Sequence, residues 1–174
     1  VFKEYYQLMF SKLYNDGIYR WEIRTSVDGV YDTEKEYTQQ ETLQILINEL
    51  KKWKAVDSER EVFSIAIIVQ GMRMDTVDGV VAALTNAYDL RDMFPEYIVG
   101  FDLVGHEDPG ETLLHWAPTL IDTEEYIVMN SSRPKLPFFF HAGESNRLSV
   151  QENLIDAVFL NTSRIGHGFG IQEF

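Results

Sequence analysis

The chain has no cysteine. That absence removes disulfides, thiolate zinc sites and cysteine nucleophiles together. Long apolar runs are missing too, so nothing approaches the 18 or more residues of a membrane span. No charged-then-apolar leader opens the sequence, and it begins at Val1 rather than Met, so the natural start is expected to be missing. Cationic residues are scarce: 15 Lys and Arg stand against 28 Asp and Glu, a formal net charge of −13. Phosphate backbones are repelled by such a surface, which disfavours nucleic acid and leaves a neutral or cationic small molecule compatible. There is no low-complexity segment, internal repeat or linker, and no GxGxxG follows the first expected strand.

What remains is a globular composition. With 45% apolar residues in 174, the chain can bury a core, and its length suits one domain. Phe2, Tyr5, Tyr6, Met9, Phe10 and Leu13 have helical spacing, stopped near Gly17. Ile18–Ile23 reads as a short strand. Thr33-Glu34-Lys35-Glu36 has capping-box form ahead of a helix with Leu43, Leu46, Ile47, Leu50 and Trp53 on one face. Residues 62–69 form a near-continuous apolar run, as in strands buried on both faces. Asp75 or Thr76 can cap a helix striped by Val77, Val80, Val81, Leu84 and Tyr88 and closed by Pro95. Residues 97–105 and 136–141 are two further strands, with a loop and helix start at 109–116 between them. A second capping box at 149–152 opens a helix burying Leu154, Ile155, Val158 and Phe159, and a short Gly-flanked strand follows at 164–168. Apolar strands alternating with amphipathic helices imply a parallel sheet with right-handed crossovers. An open doubly wound sheet and an arc of a (β/α)8 barrel both fit.

Polar residues gather where the apolar strands end: Gln70-Gly71-Met72-Arg73, Gly105-His106-Glu107-Asp108, His141-Ala142-Gly143-Glu144 and Gly166-His167-Gly168. In parallel α/β folds ligands sit at the carboxyl edge of the sheet, so these groups are expected to share one mouth. Neutral imidazoles are metal ligands and proton handlers, and a nearby carboxyl is a general acid or base, which singles out His141, Glu144 and His167. Glu107 and Asp108 read as solvated loop charges, or Asp108 as preparing the turn at Pro109-Gly110.

Phe140-His141-Ala142-Gly143-Glu144, followed by Arg164-Ile165-Gly166-His167-Gly168-Phe169, resembles the adenosine deaminase family. The stretch Gly100 to Asp108 is similar to its secreted, growth-factor branch. The resemblance spans nearly the whole chain. It implies a metallo-dependent hydrolase of (β/α)8 type, with residues 1–174 the central part of a single catalytic domain, roughly strands two to six, cut at both ends. The family activity is zinc-dependent hydrolysis of adenosine or 2′-deoxyadenosine to the inosine product. His141 then corresponds to a zinc ligand, the remaining ligands lying outside this chain. No His-x-His pair and no Asp-Asp-Pro segment occur here.

The resemblance assigns Glu144 as the proton donor to the ring nitrogen beside the attacked carbon, which leads us to expect a buried Glu of raised pKa. It assigns His167 to holding the attacking hydroxide, the Gly105 N–H to another ring nitrogen, and Met72 to the base pocket. Zinc would lower the pKa of water to about 7. Where Met72 stands the secreted branch usually has His, and Ser145-Asn146-Arg147 replaces its usual Trp-containing turn. The implied partner is a nucleoside, with no nucleic acid and no membrane span; a homodimer is allowed for the intact form, and the location is extracellular. Sequons at Asn130 and Asn161 fit a secreted glycoprotein. Two other readings stay open: another aminopurine substrate, or a receptor-binding paralogue without activity. A nucleotide substrate would need Arg73 or Arg147 as a phosphate clamp. The 174 residues alone are expected to be inactive and, with unpaired barrel edges, poorly soluble.

Overall fold

A computed structural model describes residues 1–145 and 152–173. The architecture is α/β, in two compact units, Val1–Ile67 and Ile68–Phe174. Arg147 and residues 149–151 of the second expected capping box lie outside the described residues.

In the first unit, helix α1 (Phe2–Asn15) packs on helix α2 (Gln39–Lys54). Strand β1 (Arg20–Thr25) lies two residues beyond its expected place. The Ser64 N–H donates to Tyr19 O at 2.8 Å and sets the start of strand β2 (Ser64–Met72) beside it. The unit is held by aromatic rings: Phe10 meets Trp53 and Phe63 at 5.9 Å, and Trp53 meets Phe63 at 5.3 Å. Such edge and tilted pairs contribute about 0.5–1.5 kcal/mol each beyond their buried area. Leu43, Leu46, Ile47, Leu50 and Trp53 of α2 are buried, as their spacing requires. On α1 only Phe10 is buried, while Tyr5 stays exposed. The helix cap also moves. Thr38, not Thr33, accepts the Glu41 N–H, and Glu41 reaches back to the Thr38 N–H at 3.0 Å. Residues 33–36 belong instead to a turn in which the Asp32 carboxylate takes the N–H groups of Glu34 and Lys35 at 2.8 and 3.0 Å.

The second unit carries the strand ends. Thr76 caps helix α3 (Val77–Met93) by accepting the Gly79 N–H. Strand β2 neighbours strand β3 (Ile98–Val104), and the Arg73 N–H donates to Val104 O at 2.8 Å. The expected loop and helix start is a full helix, α4 (Leu113–Ser131), with Pro118 in its second turn. Leu113, Trp116, Leu120 and Ile127 give it a buried face that outweighs the lost N–H of Pro118.

The Phe-rich run lies between β3 and the 163–168 segment. Phe101 N–H donates to Pro137 O, Phe139 N–H to Phe101 O, and Gly166 N–H to Phe140 O, each at 2.9 Å. Only His141–Ala142 form a regular strand, β4. The expected ladder over 136–141 is interrupted because Pro137 has no N–H, and because the Phe140 N–H goes to the Thr162 hydroxyl. Helix α5 (Glu152–Phe159) buries Leu154 but leaves Ile155, Val158 and Phe159 exposed, so its expected inner face is narrower. Strand β5 (Gly166–His167) pairs in parallel with β4, with His141 opposite Gly166 and Ala142 opposite His167.

Gly100 marks the closest approach of β3 to this run: a Cβ there would come within 2.4 Å of the Phe139 ring and 2.5 Å of Pro137 O. Gly100→Ala is expected to lower stability by roughly 1–3 kcal/mol through overpacking. Urea unfolding checks this; a midpoint equal to the parent's would refute the close approach.

Candidate active site

Three of the sequence-derived residues come together. The His141 and His167 rings lie 5.4 Å apart, and His167 Nε2 is 3.3 Å from Glu144 Oε2. The β4–β5 register alone would not produce this. His141 faces Gly166, so a regular His167 would point with Ala142 to the other side of the pleat. His167 instead has φ of 64°, which breaks the alternation and brings its ring beside His141. A left-handed backbone at a non-glycine residue costs of order 1–3 kcal/mol, so neighbours must hold it. The Gly168 N–H donates to Ala142 O, and the Gly166 N–H to Phe140 O, one bond on each side.

A cavity of about 230 Å³ opens over this edge, lined by His106, Asp108, Gly143, Glu144, Ser145 and Phe169. Asp108 accepts the Ser145 hydroxyl and is no free loop charge. Glu144 is 57% exposed, against the expected burial, because its loop stands at the open rim of the cavity. Met72 is 46% exposed at the end of β2. Gly105 sits beside it with φ of +117°, and a Cβ there would lie 3.9 Å from the Met72 methyl. This backbone conformation is open to glycine and strained for other residues.

Behind these residues lies a buried layer absent from the sequence expectations. Asp102, fully buried, accepts the His141 N–H at 3.2 Å through Oδ1. Its Oδ2 lies 2.7 Å from the buried His141 Nδ1, a close contact that lacks the alignment of a straight hydrogen bond. A carboxylate against one imidazole nitrogen fixes the ring and leaves Nε2 as the nitrogen able to face a ligand. Asp102 had a visible signal, a lone acid inside the apolar stretch 98–104. Glu107 is 4% exposed rather than solvated; it accepts the N–H groups of Gly143 and Glu144, each at 3.1 Å. No sequence signal separated it from Asp108.

Arg73 is fully buried as well. Its Nη2 donates to His141 O at 2.5 Å, its Nε to Leu103 O at 3.3 Å and its Nη1 to Glu111 O at 3.5 Å. Trp116 Nε1 donates to Arg73 O at 3.2 Å. Burial draws the guanidinium below its usual pKa, and the charges of Glu107 and Asp102 oppose that. So placed, Arg73 is not the solvent-facing phosphate clamp that a nucleotide substrate would require, and Arg147 lies outside the described residues.

Among the described residues no three His, Cys, Asp or Glu side chains cluster as a metal site. No helix among them is long and apolar enough to cross a membrane.

No protein-family model matches the chain. Its sequence is 34% identical to adenosine deaminase 2 of Homo sapiens over 175 residues, 99% of this chain and 33% of that protein. It is 34% identical to an adenosine deaminase of Aedes albopictus over 178 residues, 98% of this chain and 31% of that one. The chain thus spans about a third of the length of the curated relatives it matches. Among solved structures it superposes on an adenine deaminase from Arthrobacter aurescens with a TM-score of 0.64 at 18% identity, covering 99% of this chain and 46% of that one. An amidohydrolase from Burkholderia ambifaria with bound zinc gives 0.68 at 15% identity, covering 99% and 42%. These likenesses speak for the fold, and they settle the choice that periodicity left open in favour of a partial (β/α)8 barrel.

Replacing Arg73 by Ala would leave two buried carboxylates without their cation. The expected loss is roughly 3–5 kcal/mol, and Lys, lacking the planar fork, should restore little of it. Urea unfolding measures this; a change within about 0.5 kcal/mol, as for a surface residue, would be inconsistent with the buried position.

Proposed function

Sharing 34% of its residues with adenosine deaminases across nearly its whole length, this chain is a relative of that family, and from that premise we propose that the whole protein catalyses the hydrolytic deamination of adenosine or 2′-deoxyadenosine. The observation that carries the proposal is the meeting of His141, Glu144 and His167, with Nε2 of His167 3.3 Å from the Glu144 carboxylate and Glu144 itself lining the cavity of about 230 Å³.

In this reading the purine lies over the cavity with its amino-bearing carbon near the two imidazoles. Glu144 gives a proton to the ring nitrogen beside that carbon, which makes the carbon more electrophilic. His167 orients the attacking water and, through its contact with Glu144, lies on a path by which the proton can be returned. The water oxygen bonds to that carbon and gives up one proton through His167 to Glu144; the proton of the new hydroxyl passes to the amino group, the C–N bond breaks, and ammonia leaves behind the carbonyl of the product. A bound purine would cover Glu144 and remove the solvent that now reaches it. Gly105 would offer its N–H to another ring nitrogen, its missing side chain permitting the base to come close, and Met72 would flank the base.

His141 fits a zinc ligand, since its Nδ1 is held against Asp102 and Nε2 is left for a metal. Zinc, when bound, supplies a lowered pKa for water. A catalytic zinc typically takes three protein ligands, so the other two are proposed to lie outside this chain, which is then the central part of one catalytic domain. Secretion is proposed from the likeness to adenosine deaminase 2 and from the exposed Asn161 of the Asn161-Thr162-Ser163 sequon.

In the whole protein, Glu144→Gln is expected to lower kcat by about 10²- to 10⁴-fold. Loss of adenosine absorbance follows the reaction; undiminished turnover would remove Glu144 from the chemistry. Asp102→Ala should weaken zinc binding by about 10- to 100-fold, read by competition with a chelator. The isolated 174 residues should show no turnover with adenosine and added zinc, and measurable turnover would contradict the proposed outside ligands.

A further inference from the structure

Glu107 is a buried carboxylate that touches neither His141 nor His167, and the chemistry proposed above does not use it. Its two oxygens nevertheless receive three donors. Oε1 takes the Glu144 N–H at 3.1 Å; Oε2 takes the Gly143 N–H at 3.1 Å and Asn153 Nδ2 at 3.2 Å. Asn153, fully buried at the start of α5, passes the connection on, its Oδ1 accepting the Leu113 N–H at 2.7 Å. The main chain of the Gly143-Glu144 turn is thus hung on a side chain from the loop after β3, and that side chain is braced by the first turns of α4 and α5. Gly143 adds to the constraint. It has φ of +80°, and a Cβ there would come within 3.1 Å of the Leu154 side chain.

We propose that Glu107 is a positioning residue for Glu144: it fixes the backbone from which the Glu144 carboxyl reaches His167, and so sets where the proton is delivered. The inference rests on the deaminase reading for its catalytic consequence. Its structural half, that Glu107 holds this turn, is independent of that reading.

The requirement is for a carboxylate. All three partners are donors, and a Gln amide at 107 would bring two further donors into a site that needs acceptors only. A displacement of the turn by about 1 Å can cost on the order of 100-fold in rate even when the reacting groups are all present. Substrate contacts proposed for Gly105 and Met72, and the His141 ligand held by Asp102, lie outside the Glu107 bonds. KM and zinc content should therefore change little.

The test uses the whole protein with four forms: parent, Glu107→Gln, Glu144→Gln and the double variant. Glu107→Gln is expected to lose about 10- to 100-fold in kcat, with KM for adenosine within about twofold of the parent and zinc content unchanged. The double variant should be no slower than Glu144→Gln by more than about threefold, because Glu107 acts through Glu144. Hydrogen exchange of the peptide spanning residues 140–145 should be faster in Glu107→Gln. Losses that multiply, or parent-like kcat in Glu107→Gln, would overturn the positioning role, as would unchanged exchange. If Glu107→Gln does not fold, Glu107→Asp keeps the charge with a shorter reach, and a smaller loss in the same pattern is required of it. A parent protein without turnover would sink the deaminase reading, while the exchange measurement would still decide whether Glu107 holds the turn.

Discussion

The guanidinium of Arg73 sits where no solvent reaches it, and the strand ends of the second unit are arranged around that fact. A buried cation is destabilising by several kcal/mol unless its donors are satisfied and its charge is balanced. Each of its three nitrogens donates to a main-chain carbonyl, those of Leu103, Glu111 and His141. The balance comes from Asp102 and Glu107. Each solution fixes something useful. The bond to His141 O ties β4 to the end of β2. The two carboxylates that answer the charge are the ones that hold His141 and the Gly143-Glu144 turn. A planar fork of donors suits several carbonyls at once, which an ammonium would serve less well.

The front of the site was legible and its back was not. His141, Glu144 and His167 stood out because they end apolar runs, and the fold brings such ends together. Arg73 ends an apolar run too, and nothing in the residues around it marks its side chain as buried. Whether a side chain at a strand end turns outward or folds back under the edge depends on what the neighbouring strands leave empty. Glu107 and Asp108 show the same limit: adjacent acids in one loop, one buried against Gly143 and the other at the cavity beside Ser145. The left-handed backbone at His167 had no sequence marker beyond its flanking glycines.

Among the elements, those governed by periodicity were read well and those governed by local exceptions were not. The apolar face of α2 followed from its spacing alone. Helix α4 runs well past the expected loop and helix start at 109–116, because the buried Leu113, Trp116 and Leu120 sustain it through Pro118. Thr33 and Thr38 each have a glutamate three residues on, and only Asp32, which claims the N–H groups after it for a turn, selects between them. Strand β4 is short because the Phe140 and His141 N–H groups are taken by side chains of Thr162 and Asp102.

From Phe140 to Glu144 the main-chain N–H groups of four residues end on side chains that belong to other segments. The shape of the loop is therefore written elsewhere, in Thr162, Asp102 and Glu107. The imidazole at 141 and the carboxyl at 144 are passengers on a frame they do not build. Side chains carried this way can be exchanged one at a time without remaking the frame, so positions 141 and 144 can vary while the protein stays folded.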